Sequence, residues 1–304
     1  MKHVLILGST GFIGSALLNA FMNFDDSTHH FHLLVRNDKG QNNQKNTTVY
    51  TGNIENFDWS KLTHAPDIIY HLARINSTKG KKWGRKWAAH KGKKANERLL
   101  RHFSNEESAI QLIYLSGSLM YGNSDSVILE SKSTNPISFA REYINAETPF
   151  IKHQEKRDSN LNITLVRVPW VLGFGSWFKG FYLTQLSSDK KVSVYDTGAN
   201  KMAFVTLSDL ANCLTKVPGV SFKEILNIGY PEAITQLEFA EIISEITGFP
   251  IEQRDLSNFE SAIQEAFKSN IELGTQYTDF NEILLRSAVK QIVRSELRFL
   301  LENV

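Results

Sequence analysis

Gly8-Ser9-Thr10-Gly11-Phe12-Ile13-Gly14 constrains the fold of this chain more than any other stretch. The run before it, Val4-Leu5-Ile6-Leu7, is short and apolar, the profile of a strand buried on both faces. After it, Phe12, Ile13, Ala16, Leu17, Ala20 and Phe21 recur at helical spacing. A strand that turns tightly into a helix needs unusual backbone angles. The chain must also approach a pyrophosphate without a Cβ in the way, and the helix must pack closely on the strand. The helix N-terminus then offers N–H groups and a partial positive charge to phosphates. The stretch Gly8, Ser9, Thr10, Gly11, Phe12, Ile13 and Gly14 therefore reads as a dinucleotide-binding turn, against the plainer alternative of a structural turn.

The rest of the chain supports that setting. Further strand candidates are Phe31 to Val35, Val49-Tyr50, Ile68 to Leu72, Leu112 to Leu115, Ile163 to Val168 and Ile225 to Ile228, with helical patterns between several of them. Parallel strands need long crossovers, so this alternation predicts βαβ units. The expected class is α/β: a Rossmann-type, doubly wound parallel sheet over residues 1–169, with a smaller, mostly helical substrate lobe over 170–304 and an approximate, interleaved boundary. In that lobe Thr206 with Asp209, Thr235 with Glu238, Ser257 with Glu260 and Asp279 with Glu282 have the spacing of helix-capping pairs. Ile283, Leu284, Val289, Ile292, Val293 and Leu297 predict a long amphipathic helix near the end.

The tip of the second strand bears on which dinucleotide is taken. A carboxylate there suits the ribose hydroxyls of NAD, whereas an arginine suits the extra phosphate of NADP. Val35 is followed by Arg36-Asn37, so NADP(H) is expected over NAD(H), the alternative being a solvated surface arginine. Asn53-Ile54 and Leu72-Ala73-Arg74 follow the third and fourth strands and are expected along the same carboxyl edge, where ligands bind in such folds.

Composition narrows the class further. The 304 residues, 41% hydrophobic and 22% charged, are ordinary for a globular chain, and the net charge of +2 points to no global partner. The single cysteine, Cys213, excludes an intramolecular disulfide framework and a cysteine-rich metal site. No apolar run reaches the length of a spanning helix, and none near Met1 has the length of a signal-peptide core. A cytoplasmic protein with no membrane partner is the default expectation.

Several stretches resemble the extended branch of the short-chain dehydrogenase/reductase superfamily, the NAD(P)-dependent epimerases, dehydratases and reductases. Beyond the glycine turn, Ile69-Tyr70-His71-Leu72-Ala73 is similar to the family's fourth strand. Tyr114-Leu115-Ser116-Gly117-Ser118-Leu119-Met120-Tyr121-Gly122 resembles its fifth strand and active-site turn. Val166-Arg167-Val168-Pro169-Trp170-Val171-Leu172-Gly173 resembles the segment that closes over the nicotinamide, which implies cofactor contact at Pro169. Stretches from Ala203 to Ala211 and from Leu226 to Gly229 resemble the substrate lobe. The resemblance implies a Ser/Thr that polarises the substrate oxygen, a tyrosine that moves the proton, and a lysine four positions later that supports it.

Those catalytic residues carry over incompletely. Registering on Tyr121-Gly122 puts Gly117 where the hydroxyl residue is implied, flanked by Ser116 and Ser118. One register of the next helix aligns Phe139 with the tyrosine, Tyr143 with the lysine and Glu147 with a glutamate the family often has. The other makes Tyr143 the tyrosine and leaves Glu147 in place of the lysine. A phenol, with an ordinary pKa of about 10, needs a nearby positive charge to act as a base near neutrality. Ser116, Ser118, Tyr121 and Tyr143 are therefore the catalytic candidates of a rearranged site, and the alternative is a catalytically silent NADP(H)-binding sensor or partner-binding module.

Two further features frame the partners. Between Lys79 and Arg101 the chain carries ten lysines and arginines against one acid, Glu97, with Trp83 and Trp87 one helical turn apart. This reads as a solvated helix face with its tryptophans covering core, or else as a site for an anionic substrate, partner or nucleic acid. A small-molecule substrate is expected, with oligomeric state left open. His29, His30 and His32 lie before and within the second strand, on a segment expected to face solvent, and no metal site is expected there.

Overall fold

The computed structural model describes residues 1–23, 28–37, 45–75, 82–141, 143–156, 159–219, 224–257, 259–277 and 289–302. The chain forms two compact units, Met1–Ser116 with Glu142–Val166 and Leu214–Leu226, and Gly117–Arg141 with Arg167–Cys213 and Asn227–Val304.

The first unit is built on β1 (Lys2–Leu7), α1 (Phe12–Asn23), β2 (His29–Val35), β3 (Thr47–Thr51), β4 (Ile68–His71), α2 (Lys82–Phe103) and β5 (Ile110–Gly117). After the short helix α3 (Ser138–Arg141), α4 (Ile144–Gln154) and β6 (Leu161–Val168) return to it, and β11 (Ile225–Asn227) completes a seven-stranded parallel sheet. The strand order β3-β2-β1-β4-β5-β6-β11 reverses direction between β1 and β4, the switch point where doubly wound sheets bind ligands. Both faces of β1 are covered, so Val4, Leu5, Ile6 and Leu7 are all buried, as their unbroken apolar run requires. On one face Phe21 of α1 packs on Phe31 and Tyr70. On the other, Leu5, Leu34, Ile69 and Leu112 meet Leu99 and Phe103 of α2 and Phe150 of α4. Gly92 lets α2 approach α4 closely, since a Cβ there would lie 3.2 Å from that of Ala146.

The basic helix α2 departs from expectation. Small residues, Ala88 and Ala95 with Leu99, form its buried side, while Trp87 is 56% exposed beneath the Lys91 ammonium, 3.9 Å from its ring. Lys91 also pairs with Glu55 at 2.8 Å, and the Arg98 guanidinium donates to the carbonyls of Glu55 and Phe57. Part of the charge is thus taken up by the chain's own acceptors. Lys79 and Lys81 lie outside the described residues.

The second unit contains β7 (Trp170–Leu172), α5 (Thr184–Asp189), β8 (Val192–Tyr195), β9 (Lys201–Met202), β10 (Phe204–Thr206) and α6 (Leu207–Lys216), the last of which leads back to the first unit. Later come β12 (Ile234–Thr235), α7 (Gln236–Thr247), β13 (Ile251–Arg254), α8 (Ser261–Lys268) and α9 (Val289–Glu302). Its core is aromatic, with Phe178, Tyr182, Tyr195, Phe204 and Phe239 packed against Val289, Val293, Leu297 and Leu300 of α9. Two expected caps form: Thr206 Oγ1 accepts from Asp209 N, and Thr235 with Glu238 makes a reciprocal capping box. The Ser257–Glu260 pair does not cap, because Asp255 accepts from the Ser257 N–H and hydroxyl and α8 begins only at Ser261. Asp279, Glu282, Ile283 and Leu284 lie outside the described residues. Among the described residues no helix is long and apolar enough to cross a membrane.

Candidate active site

At the switch point β1 ends on Gly8, whose φ of +92° suits glycine and whose missing Cβ would lie 2.9 Å from the Ala73 backbone N at the end of β4. The turn closes with Gly11 N donating to Gly8 O at 2.9 Å. A Cβ on Gly14 would lie 2.1 Å from that same oxygen, so α1 rests directly on the strand's end. The first turn of α1 carries no acid that would compete for an anion. Ser9 is buried, and its Oγ has no hydrogen-bond partner among the described residues. A turn reserved for glycine and an unpartnered buried hydroxyl together fit the pyrophosphate of a dinucleotide. The neighbouring Thr10 is exposed, and Phe12 and Ile13 are half-buried.

Along the same edge, Arg36 and Asn37 are exposed beyond the buried Val35. Asn53 accepts at its carbonyl from Asn56 N and Phe57 N, and Ile54 packs on the core. Leu72 and Ala73 are half-buried. Just before them His71 is 3% exposed, with Nε2 on Asn96 Oδ1 at 2.8 Å and its ring edge-on to Tyr114 and Phe150. Burial pushes its imidazole down to about 4.

At the end of β5 the first of the proton-handling candidates meets α4. Ser116 Oγ donates to Glu147 Oε2 at 2.5 Å, and Glu147 is 2% exposed. Tyr143, the N-cap residue of α4, stands one helical turn before Glu147, and the Arg74 guanidinium lies 3.6 Å from the centre of its ring. Sequence reasoning placed Glu147 only as an occupant of a lysine or glutamate position; its bond to Ser116 depends on packing between segments 31 residues apart. Arg74, expected along the cofactor edge, covers the phenol.

The remaining candidates belong to the second unit. Ser118 is 3% exposed in a tight helical turn, Ser118–Met120. Tyr121 is 1% exposed, donates to Asn227 Oδ1 at 2.8 Å and lies under the Arg167 guanidinium, so its hydroxyl already serves a buried network. Pro169 packs on Gly229, where a Cβ would lie 2.9 Å from its ring. Gly117 is extended, at φ −118° and ψ 151°, and a Cβ there would meet nothing nearer than Val168 O at 4.0 Å.

The expectation that the histidines near the second strand face solvent is wrong for His32, which is 0% exposed. It packs beside His3 and His30 on the same face, because parallel pairing sets His3 opposite His30 and the two-residue period brings His32 alongside.

A doubly wound sheet with a glycine-rich turn at its switch point defines a nucleotide-binding α/β protein. The NAD dependent epimerase/dehydratase family matches residues 4–229, and the chain belongs to that family. It is 26% identical over 271 residues, 81% of this chain and 82% of the other, to an uncharacterized UDP-glucose epimerase, YtcB, of Bacillus subtilis. Its fold is similar to UDP-glucuronic acid 4-epimerase of Bacillus cereus in complex with NAD, at 18% identity and a TM-score of 0.77, over 97% of this chain and 94% of that one. It is also similar to UDP-N-acetylglucosamine 4-epimerase of Methanobrevibacter ruminantium, at 17% identity and a TM-score of 0.77, over 100% and 99%. A nicotinamide dinucleotide is thus the family's cofactor, and the NADP preference expected from Arg36 finds no counterpart in the family's NAD-dependent description or in the NAD-bound Bacillus cereus epimerase.

Proposed function

We propose that this protein is a nucleotide-sugar epimerase or dehydratase that uses NAD(H). Ser116, Glu147 and Tyr143 handle the proton in place of the usual tyrosine–lysine pair. The observation that carries the reading is the 2.5 Å bond between Ser116 and the buried Glu147, one helical turn from Tyr143. The sugar-nucleotide substrate class rests on what the similar proteins are named for, UDP-glucose, UDP-glucuronic acid and UDP-N-acetylglucosamine.

The glycine turn and Ser9 hold the pyrophosphate, and the bound nicotinamide supplies hydride acceptance and return. Everything else falls to the chain. Tyr143 exchanges the proton of the reacting sugar hydroxyl at its Oη, and the Arg74 cation over its ring provides the positive charge that a lysine provides elsewhere. With its proton committed to Glu147, Ser116 presents its oxygen lone pairs to the reacting hydroxyl and orients it, while Glu147 holds Ser116 in that orientation. Arg36 then lies at the ribose end, as a surface cation.

The test is turnover of UDP-glucose and UDP-glucuronic acid by purified protein with NAD, read by product chromatography, alongside calorimetric titration with NAD and NADPH. Tyr143→Phe and Glu147→Gln are each expected to lower kcat by about 10²–10⁴ while leaving dinucleotide affinity unchanged. NAD binding with no turnover of any nucleotide sugar overturns the enzyme reading in favour of a silent binding module. NADPH affinity that exceeds that of NAD and falls selectively in Arg36→Ala overturns the cofactor assignment.

A further inference from the structure

A second site lies at the amino edge of the same sheet, away from the carboxyl edge that carries the glycine turn. His3 on β1, His32 on β2 and His64 in the segment entering β4 cluster together, and one ring nitrogen from each lies within 4.8 Å of the other two. His3 Nδ1 and His32 Nε2 are 2.9 Å apart, and the His64 ring stacks on that of His3 with centroids 4.2 Å apart. From these positions we infer that His3, His32 and His64 form a binding site for a divalent transition-metal ion of the zinc type, with exposed His64 as its closing ligand.

Imidazole suits zinc, copper and nickel, and three imidazoles with one position open to solvent make a recognised tetrahedral set. Zinc–nitrogen bonds of about 2.0–2.1 Å set tetrahedral ligand nitrogens roughly 3.3 Å apart. The His3–His32 pair is already near that spacing, and rotation of the exposed His64 side chain brings in the third nitrogen.

The outer shell is also in place. A metal-binding imidazole is usually oriented by a hydrogen bond at its other nitrogen. His32 Nδ1 meets the Tyr50 hydroxyl at 3.2 Å, which leaves Nε2 aimed at His3. That hydroxyl also accepts from Thr63 N at 3.1 Å and contacts Thr63 Oγ1 at 3.0 Å, so one phenol ties the buried ligand to the segment bearing the exposed one. His3 is held independently, its backbone N donating to Asp67 Oδ2 at 2.7 Å.

Without an ion the arrangement is costly. A sheet layer that continues a core of Leu5, Leu34 and Ile69 is filled most cheaply by apolar side chains. Here it ends instead in clustered imidazoles, and the facing nitrogens of His3 and His32, 2.9 Å apart, share a single proton between them. Binding of an ion satisfies these lone pairs together.

The experiment uses the tag-free, full-length protein, stripped with chelator and titrated with zinc chloride by calorimetry, with cobalt chloride as a spectroscopic substitute. One zinc per chain is expected in the micromolar range or tighter, with visible absorption characteristic of four-coordinate cobalt. His64→Ala, an exposed change that leaves the core intact, and His3→Gln are each expected to weaken binding by more than about tenfold. Tyr50→Phe, which keeps the packing and removes only the outer-shell hydroxyl, is expected to weaken it by about tenfold. His90→Ala on the exposed side of α2 leaves it unchanged. Zinc binding that is equal in wild type and His64→Ala, or no four-coordinate cobalt spectrum in wild type, overturns the site and leaves a purely packed histidine stack.

Discussion

Replacing Gly14 by alanine puts a methyl carbon 2.1 Å from the Gly8 carbonyl oxygen and 2.9 Å from the Ser9 Cα. All the close neighbours are backbone, so no side chain can rotate away. Relief comes only if α1 lifts from the end of β1 by roughly 1 Å. A gap of that size forfeits a quarter to a half of each dispersion contact. The helix buries Leu17, Leu18 and Phe21, each worth about 2 kcal/mol, so the lift costs about 2 kcal/mol in lost packing. Residual overpacking strain adds a further ~1 kcal/mol, for a total of about 3 kcal/mol. Gly180 is the internal control, because a Cβ there meets nothing within 4 Å inside the helical stretch Lys179–Leu183. Gly180→Ala is expected to stabilise by about 0.5–1 kcal/mol through the loss of backbone freedom in the unfolded chain. Urea denaturation followed by circular dichroism compares the two, and calorimetry reads NAD affinity, which is expected to collapse in Gly14→Ala and stay level in Gly180→Ala. If Gly14→Ala unfolds within about 0.5 kcal/mol of wild type, the close approach of helix to strand is not what reserves this position for glycine.

Other expectations follow from single residues. Gly117→Ser introduces the hydroxyl that the family resemblance implies into extended backbone with open space, so stability stays within about 0.5 kcal/mol and turnover of the nucleotide sugar rises; a drop in stability refutes the geometry. Arg74→Ala removes the cation over Tyr143 and is expected to lower kcat more than KM, with Arg74→Lys restoring part of the rate; equal kcat in all three proteins removes Arg74 from the mechanism. His71, lowered by burial to about 4 from 6.5, leaves the unfolded chain binding more protons between those values. Its contribution is complete above about pH 6.5 and is lost as pH falls, the loss reaching roughly 3 kcal/mol by pH 4. His71→Gln keeps a donor for Asn96 and is expected to flatten that acid limb, so identical pH profiles for the two proteins refute the assignment.

The inner sheet strands are visible as apolar runs, since parallel strands buried on both faces leave a continuous signal, whereas the half-buried edge strand β3 shows only Val49-Tyr50. The glycine turn was equally legible, because its residues are contiguous and each glycine has its own steric reason. The site chemistry was less so. Ser116 with Glu147 and Arg74 with Tyr143 meet only once β4, β5 and α4 have been laid side by side, and no local pattern encodes that meeting. The same holds for His3, His32 and His64, which come from three separate segments. Trp87 misled because a helix with alanines on its buried side needs no tryptophan there, and an aromatic ring is equally served by a lysine above it. Ser257 misled because the nearer carboxylate of Asp255 captures its N–H before the helix begins.

The threading of the two units has a consequence for how the molecule is made. The chain passes between them at five junctions, after Ser116, Arg141, Val166, Cys213 and Leu226. During synthesis the sheet's outer strand, Ile225–Asn227, emerges only after most of the other unit's strands, so the nascent chain carries an open sheet edge for most of its translation. A nucleotide-binding half cannot be excised at a single cut, nor exchanged with a relative's by one crossover. Recombination between family members that keeps both halves intact has to respect all five junctions.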